Sequence, residues 1–99
     1  MLLIRDIMYC KPGKVRPLVE KFKAMAKRGE EKGWGKMRIM TDVSAERFWT
    51  LVSEFEVPSL EAFMNMGNDT ESAKQMEEIT KGYHELVDKG RREIYTIEY

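Results

Sequence analysis

The sequence predicts an α+β fold, a four-stranded antiparallel sheet with two helices on one face, in the order β-α-β-β-α-β. Three observations carry this. Residues 2–10 and 91–99 read as strands at the two ends of the 99-residue chain. Two stretches between them repeat apolar residues at spacings of three and four, which is helical. Residues 36–57 return to a period of two. Two helices can cover only one face of such a sheet, yet the terminal strands are largely apolar on both. A second copy of the chain is therefore expected on the bare face, giving a homodimer.

In the first strand Leu2, Ile4, Asp6, Met8 and Cys10 point one way, and Leu3, Arg5, Ile7 and Tyr9 the other. Lys11-Pro12-Gly13-Lys14 stops it, because proline cannot donate to a ladder and glycine permits the turn. Val15, Leu18, Val19, Phe22, Met25, Ala26 and Gly29 then form a helical stripe. Pro17 is tolerated in the first turn, and Gly33-Trp34-Gly35 ends the helix. Residues 36–43 alternate with one wet face and read as an edge strand. A hairpin connection over 42–46 leads to 47–57, apolar on both sides for much of its length and so central. Ser59 is expected to cap a short helix reaching about Met66. After Gly67-Asn68-Asp69 a longer helix is expected, its inner stripe running from Ala73 and Met76 to Leu86 and Val87, with Gly90 ending it. The chain from 1 to 99 is expected to be one domain.

Seventeen basic and seventeen acidic residues leave no net charge. A protein built to hold nucleic acid needs an excess of Lys and Arg, so none is expected as a partner. The charges are unevenly placed, with eleven Lys or Arg against four acids in residues 1–38 and six against thirteen in 39–99. A basic first helix beside an acidic second one is expected to discharge through surface pairs worth about 0–1 kcal/mol each. MLLIRDIMYC is broken by Arg5 and Asp6, so it is neither a signal-peptide core nor a membrane span, and a cytoplasmic protein without a membrane partner is expected. Cys10 is the only cysteine, which rules out an internal disulfide or a cysteine-based zinc site.

His84 is the only histidine, and histidine is the one side-chain type that ordinarily titrates near neutrality. It falls about 80° from Met76 on a wheel of roughly 100° per residue, at the border of the apolar stripe. There it is a candidate base facing a cleft, although a half-exposed surface histidine is the commoner case. One histidine and one cysteine leave only carboxylates to complete a metal site, and no metal or cofactor is expected. Cys10 reads as a small buried hydrophobe. Eight methionines give either ordinary core plasticity or an adaptable apolar cavity. Trp49, Tyr9, Tyr95, Tyr99 and Phe55 suit a core or subunit interface before a substrate box. Asp6 sits between Ile4 and Met8, and Arg5 between Leu3 and Ile7. A buried charge is costly unless paired, so at least one of them should meet a partner, and Glu54, Arg38 and Arg92 are the candidates. Such a pair is either an intersubunit bridge or the polar floor of a pocket.

The strand order, the Lys11-Pro12-Gly13-Lys14 turn and Ser53-Glu54-Phe55-Glu56-Val57-Pro58-Ser59-Leu60, running from strand into short helix, resemble the dimeric α+β barrel superfamily. Its fold is ferredoxin-like, and it includes antibiotic-biosynthesis-monooxygenase-like, NIPSNAP-like and stress-responsive barrel proteins. The resemblance implies two sheets packed face to face, with any ligand between a sheet and its helices or inside the barrel. The activities it implies are cofactor-free oxygenation of polycyclic aromatics and oxidative haem breakdown. Haem-degrading members use an Asn on the first strand, a Trp in the short helix and a His in the next. Those positions are here Asp6, Phe63 or Met64, and residues 70–73, so haem breakdown is not expected.

No catalytic or cofactor motif of high specificity is present, and two readings follow. One is a homodimeric barrel binding a small apolar or aromatic molecule, in enzymatic form a cofactor-independent monooxygenase. Asp6 and His84 would be its catalytic groups, with Trp49, Tyr95 and Arg38 against the ligand. The other is a non-catalytic dimeric interaction module whose core is filled by its own side chains. A pocket lined by both polar and aromatic groups favours the first, and a closed core the second.

Overall fold

The computed structural model describes residues 1–99. Strand β1 (Leu2–Cys10), helix α1 (Val15–Glu31), strands β2 (Met37–Thr41) and β3 (Thr50–Val57), helices α2 (Leu60–Asn65) and α3 (Thr70–Thr80) and strand β4 (Val87–Thr96) follow in chain order. The strands form one antiparallel sheet ordered β2-β3-β1-β4. The two strands with the most apolar faces, β1 and β3, are central, and β2 with its wet face is an edge. Helices lie on one face only, and the shortest extent of the backbone is 18 Å, one sheet plus one helical layer.

Local chemistry sets the helix ends. Gly33 adopts a left-handed φ of +78°. That lets its N–H donate to Glu30 O at 3.0 Å and Trp34 N–H to Gly29 O at 2.9 Å, a Schellman closure of α1. Ser59 Oγ accepts from Ala62 N–H at 3.1 Å at the start of α2. The Asp69 carboxylate caps α3, accepting from Glu71 N–H at 3.1 Å and Ser72 Oγ at 2.8 Å. Lys32 also reaches it at 3.0 Å. The bond from Lys32, and then that from Ser72, hold the Asp69 carboxyl down at about 2.

The core lies where β1 and β3 meet α1: Cys10, Leu18, Val19, Phe22 and Leu51 are packed together and buried. Burial pushes the Cys10 thiol above its usual value, with the charge of Asp42 adding to it. Cys10 is a core residue, as its setting in the first strand suggested.

Four details differ from the sequence reading. Helix α3 stops at Thr80 rather than continuing to Val87, because Lys81 leaves helical ψ and Gly82 takes a φ of +82°. A single 3-10 turn, Tyr83–Glu85, follows. Strand β4 consequently begins at Val87 and ends at Thr96, so Gly90 is a strand residue and not a helix stop. A Cβ on Gly90 would lie 2.7 Å from Met8 Sδ, so glycine there leaves Met8 room to lie across β4. The connection between β2 and β3 runs from Asp42 to Trp49, because Asp42 Oδ1 accepts from Thr50 N–H at 2.8 Å and Thr50 Oγ1 donates to Arg47 O at 2.7 Å, closing a loop. Trp49 ends it with a φ of +62°, which side chains other than glycine rarely adopt.

The charge asymmetry is not discharged between the helices as expected. Lys32 with Asp69 is the one ion pair joining α1 to the start of α3, while Lys21 Nζ donates instead to the backbone, to Lys81 O at 2.7 Å.

The bare face is also less apolar than its central strand implied. Ile7, Tyr9 and Val52 form a strip on it, but beside them Glu54, 8% exposed, accepts from Arg5 at 2.6 Å and Arg38 at 3.2 Å. Arg5 also reaches Glu93 at 3.6 Å, and Tyr95 OH donates to Glu93 at 2.9 Å. Accessible surface totals 6902 Å², roughly 1,100 Å² above the size-scaling expectation for 11.6 kDa. A sheet face without a second layer and an open cleft beneath the helices account for such an excess.

Candidate functional site

Antiparallel pairing sorts the helix-side face of the sheet into rows. Met37, Phe55, Ile4 and Ile94 stand in one, and Thr41, Leu51, Met8 and Gly90 in another. Between them lies the row Ile39, Ser53, Asp6 and Arg92, polar in its last three members. Strand alternation requires Asp6 to face the helices once Ile4 does, and the pairing register puts Arg92 directly beside it.

Arg92 grips Asp6 with two bonds, Nε to Oδ1 at 2.6 Å and Nη2 to Oδ2 at 3.2 Å. Its guanidinium also lies 5.0 Å from the centre of the Phe63 ring, which holds it from the α2 side. On the other side of Asp6, Ser53 is 0% exposed and its Oγ has no hydrogen-bond partner. A buried hydroxyl without a partner costs about 1–3 kcal/mol. Ser53→Ala is accordingly expected to raise stability by about 1 kcal/mol, read as a higher urea midpoint, and a drop would show that the hydroxyl is satisfied in solution.

Above this floor the helices leave an open cleft of about 850 Å³. Phe22, Met25 and Ala26 of α1 form one wall, and Ala73, Met76 and Thr80 of α3 the other. Trp34, Phe55, Phe63 and Tyr83 add aromatic surface. No group of three or more His, Cys, Asp or Glu side chains is placed to hold a metal ion.

Of the residues singled out from the sequence, Asp6 and His84 both line this cleft. His84 is exposed on its rim, in the 3-10 turn, its ring 4.1 Å from that of Tyr83. The other three are not brought to it. Arg38 and Tyr95 lie on the bare face, Arg38 bonded to Glu54 and Tyr95 to Glu93. Hydrogen bonding to Glu93 raises the Tyr95 phenol above its usual value. Trp49, 44% exposed, closes the loop at one end of the sheet beside Gly13, Val15 and Arg16.

The chain matches no family model and no curated protein sequence. Its likeness is to solved structures. A NIPSNAP-domain protein of Burkholderia xenovorans superposes with a TM-score of 0.78 at 12% identity, over 98% of this chain and 94% of that one. A NIPSNAP-family protein of Agrobacterium tumefaciens gives 0.79 at 8% identity, over 99% and 94%. A Nitrosomonas europaea protein described as a candidate antibiotic biosynthesis monooxygenase gives 0.74 at 12% identity, over the whole of both chains. The chain has the ferredoxin-like α+β fold of these proteins. In this ferredoxin-like frame the cleft between sheet and helices is one of the two ligand positions that the sequence resemblance implied.

Sequence reading overlooked Ser53. Its signal was a small hydroxyl at an inward position of a central strand, between Leu51 and Phe55, where an aliphatic residue is the rule.

Proposed function

We propose that this protein is a cytoplasmic homodimer that binds a small apolar or aromatic molecule in the cleft between its sheet and its helices. The observation that favours this most is the composition of the cleft, an open space of about 850 Å³ lined by both apolar or aromatic and polar side chains, whose floor carries the Asp6–Arg92 pair. Its volume lies within the roughly 300–1,000 Å³ usual for small-molecule sites. A module filled by its own side chains would have closed this space. Reading the bare sheet face as the dimer interface accords with the surface excess and with a face that carries no helices, where Ile7 and Tyr9 are covered only by neighbouring side chains such as Arg47, 4.6 Å from the Tyr9 ring. No helix is long and apolar enough to cross a membrane.

In its enzymatic form the activity is cofactor-independent monooxygenation, the reading that the name of the Nitrosomonas europaea protein supports. The ligand itself then reduces dioxygen: a ring CH2 becomes C=O, and the second oxygen atom leaves as water. The chain's share is to hold the ligand and to accept its proton, a role that the position of His84 at the cleft rim supports.

Native mass spectrometry of the purified protein and a melting-temperature screen of aromatic compounds test binding. A bound or stabilising compound is expected, since a ligand at about 100 times its Kd adds about 2.7 kcal/mol, and His84→Ala should weaken the response. If nothing co-purifies and no compound raises the melting temperature, the reading fails.

A further inference from the structure

The floor of the cleft carries information about the ligand's polar end. Asp6 and Arg92 cancel each other's charge through two bonds, so the row Ser53, Asp6, Arg92 is polar but neutral. An anionic ligand group placed there would meet the Asp6 carboxylate as a like charge, and a cationic one would meet the Arg92 guanidinium. The capacity that remains is of a different kind. Arg92 keeps N–H groups that Asp6 does not use, being 52% exposed at its side chain. Asp6 keeps unshared lone pairs, and the Ser53 hydroxyl is fully buried with no acceptor. A buried hydroxyl lacking a partner is a deficit that a ligand oxygen can remove. Reaching it requires neighbouring side chains to give way, and the methionines Met8, Met25, Met37 and Met76 that line the cleft are the side chains best able to do so.

We propose that the Ser53–Asp6–Arg92 row recognises an uncharged oxygen group, a hydroxyl or carbonyl on an otherwise apolar ring system, and discriminates against carboxylates and phosphates. This rests on the reading of the cleft as a ligand site and specifies which ligands it takes. A hydroxyl can donate to Asp6 while accepting from Ser53 or Arg92. A carbonyl can accept from both donors.

Fluorescence titration with naphthalene, 2-naphthol and 2-naphthoate at neutral pH tests it, because the three share one ring system and differ only at the polar end. For the native chain 2-naphthol is expected to bind at least about tenfold more tightly than naphthalene or 2-naphthoate, the scale on which a site built for a hydroxyl separates it from its absence. Ser53→Ala should reduce this advantage severalfold. Asp6→Asn, which frees the Arg92 charge, should move the preference toward 2-naphthoate. Naphthalene binding with no gain for 2-naphthol, or a native preference for 2-naphthoate, overturns the recognition row while the cleft reading stands. A 2-naphthol advantage unaltered by both substitutions places its recognition elsewhere and equally overturns the proposal. Failure of all three compounds to bind removes the cleft reading, and the proposal with it.

Discussion

Leu51→Ala is expected to lower the free energy of unfolding by about 2–5 kcal/mol, a large part of the roughly 5–15 kcal/mol that holds a domain of this size. Leu51 is 0% exposed and belongs to the cluster of Cys10, Leu18, Val19 and Phe22, where β1, β3 and α1 meet. Truncation there removes apolar burial and leaves a void between a sheet and a helix that cannot both move to fill it. The contrast with Met76 makes the experiment specific to packing. Met76 lines the open cleft and is only partly buried, so its truncation should cost about 1 kcal/mol or less. Urea unfolding of both variants reads the difference. A loss below about 1 kcal/mol for Leu51→Ala would show that this cluster is not where the tertiary stability resides.

The sequence made the frame of the sheet legible because its signals were local. Alternation in β1 and β3, the Gly33 closure of α1, and Ser59 and Asp69 as caps each depend on a few adjacent residues. The last third was misread where two local signals competed. A helical stripe could be drawn through Tyr83 and Val87, but Gly82 at positive φ breaks it, and β4 therefore starts early enough to bring Arg92 beside Asp6. A charge embedded in β1 was recognisable as needing a partner, and two of the three candidates supply one: Arg92 grips Asp6 and Glu54 accepts from Arg5, while Arg38 bonds Glu54 and neither of the β1 charges. Which face each pair occupies followed from pairing register, a non-local property that composition does not encode. Tyr95, Arg38 and Trp49 looked like ligand walls because aromatic and guanidinium groups recur at binding sites. The register turns the first two onto the bare face, and the loop from Asp42 carries the third to the end of the sheet.

Glu54→Ala is expected to cost about 2 kcal/mol near neutral pH, the scale of hydrogen bonds to a charged group, and to change how stability responds to acid. Burial alone would push the Glu54 carboxyl up. Hydrogen bonds from Arg5 and Arg38 and their charges outweigh it and hold the carboxyl below its usual value. The guanidinium of Arg5 is raised in turn, first through its bond to Glu54. A carboxyl lowered in the folded state binds fewer protons there than in the unfolded chain. Its contribution is therefore complete above the unfolded value of about 4.3 and is lost as the pH falls through the lower folded value. The gap in urea midpoint between the native chain and Glu54→Ala should consequently be wide near neutrality and narrow in strong acid, and a gap that does not narrow would show that Glu54 acts through packing and not through charge. The same substitution probes the proposed dimer. Removing Glu54 leaves Arg5 and Arg38 without their shared counter-charge on the bare face, which in a face-to-face pair of sheets sets cations of one copy against those of the other. Sedimentation at micromolar concentration should give a dimer for the native chain and a weakened one for the variant, whereas a native monomer would remove the bare face as an interface.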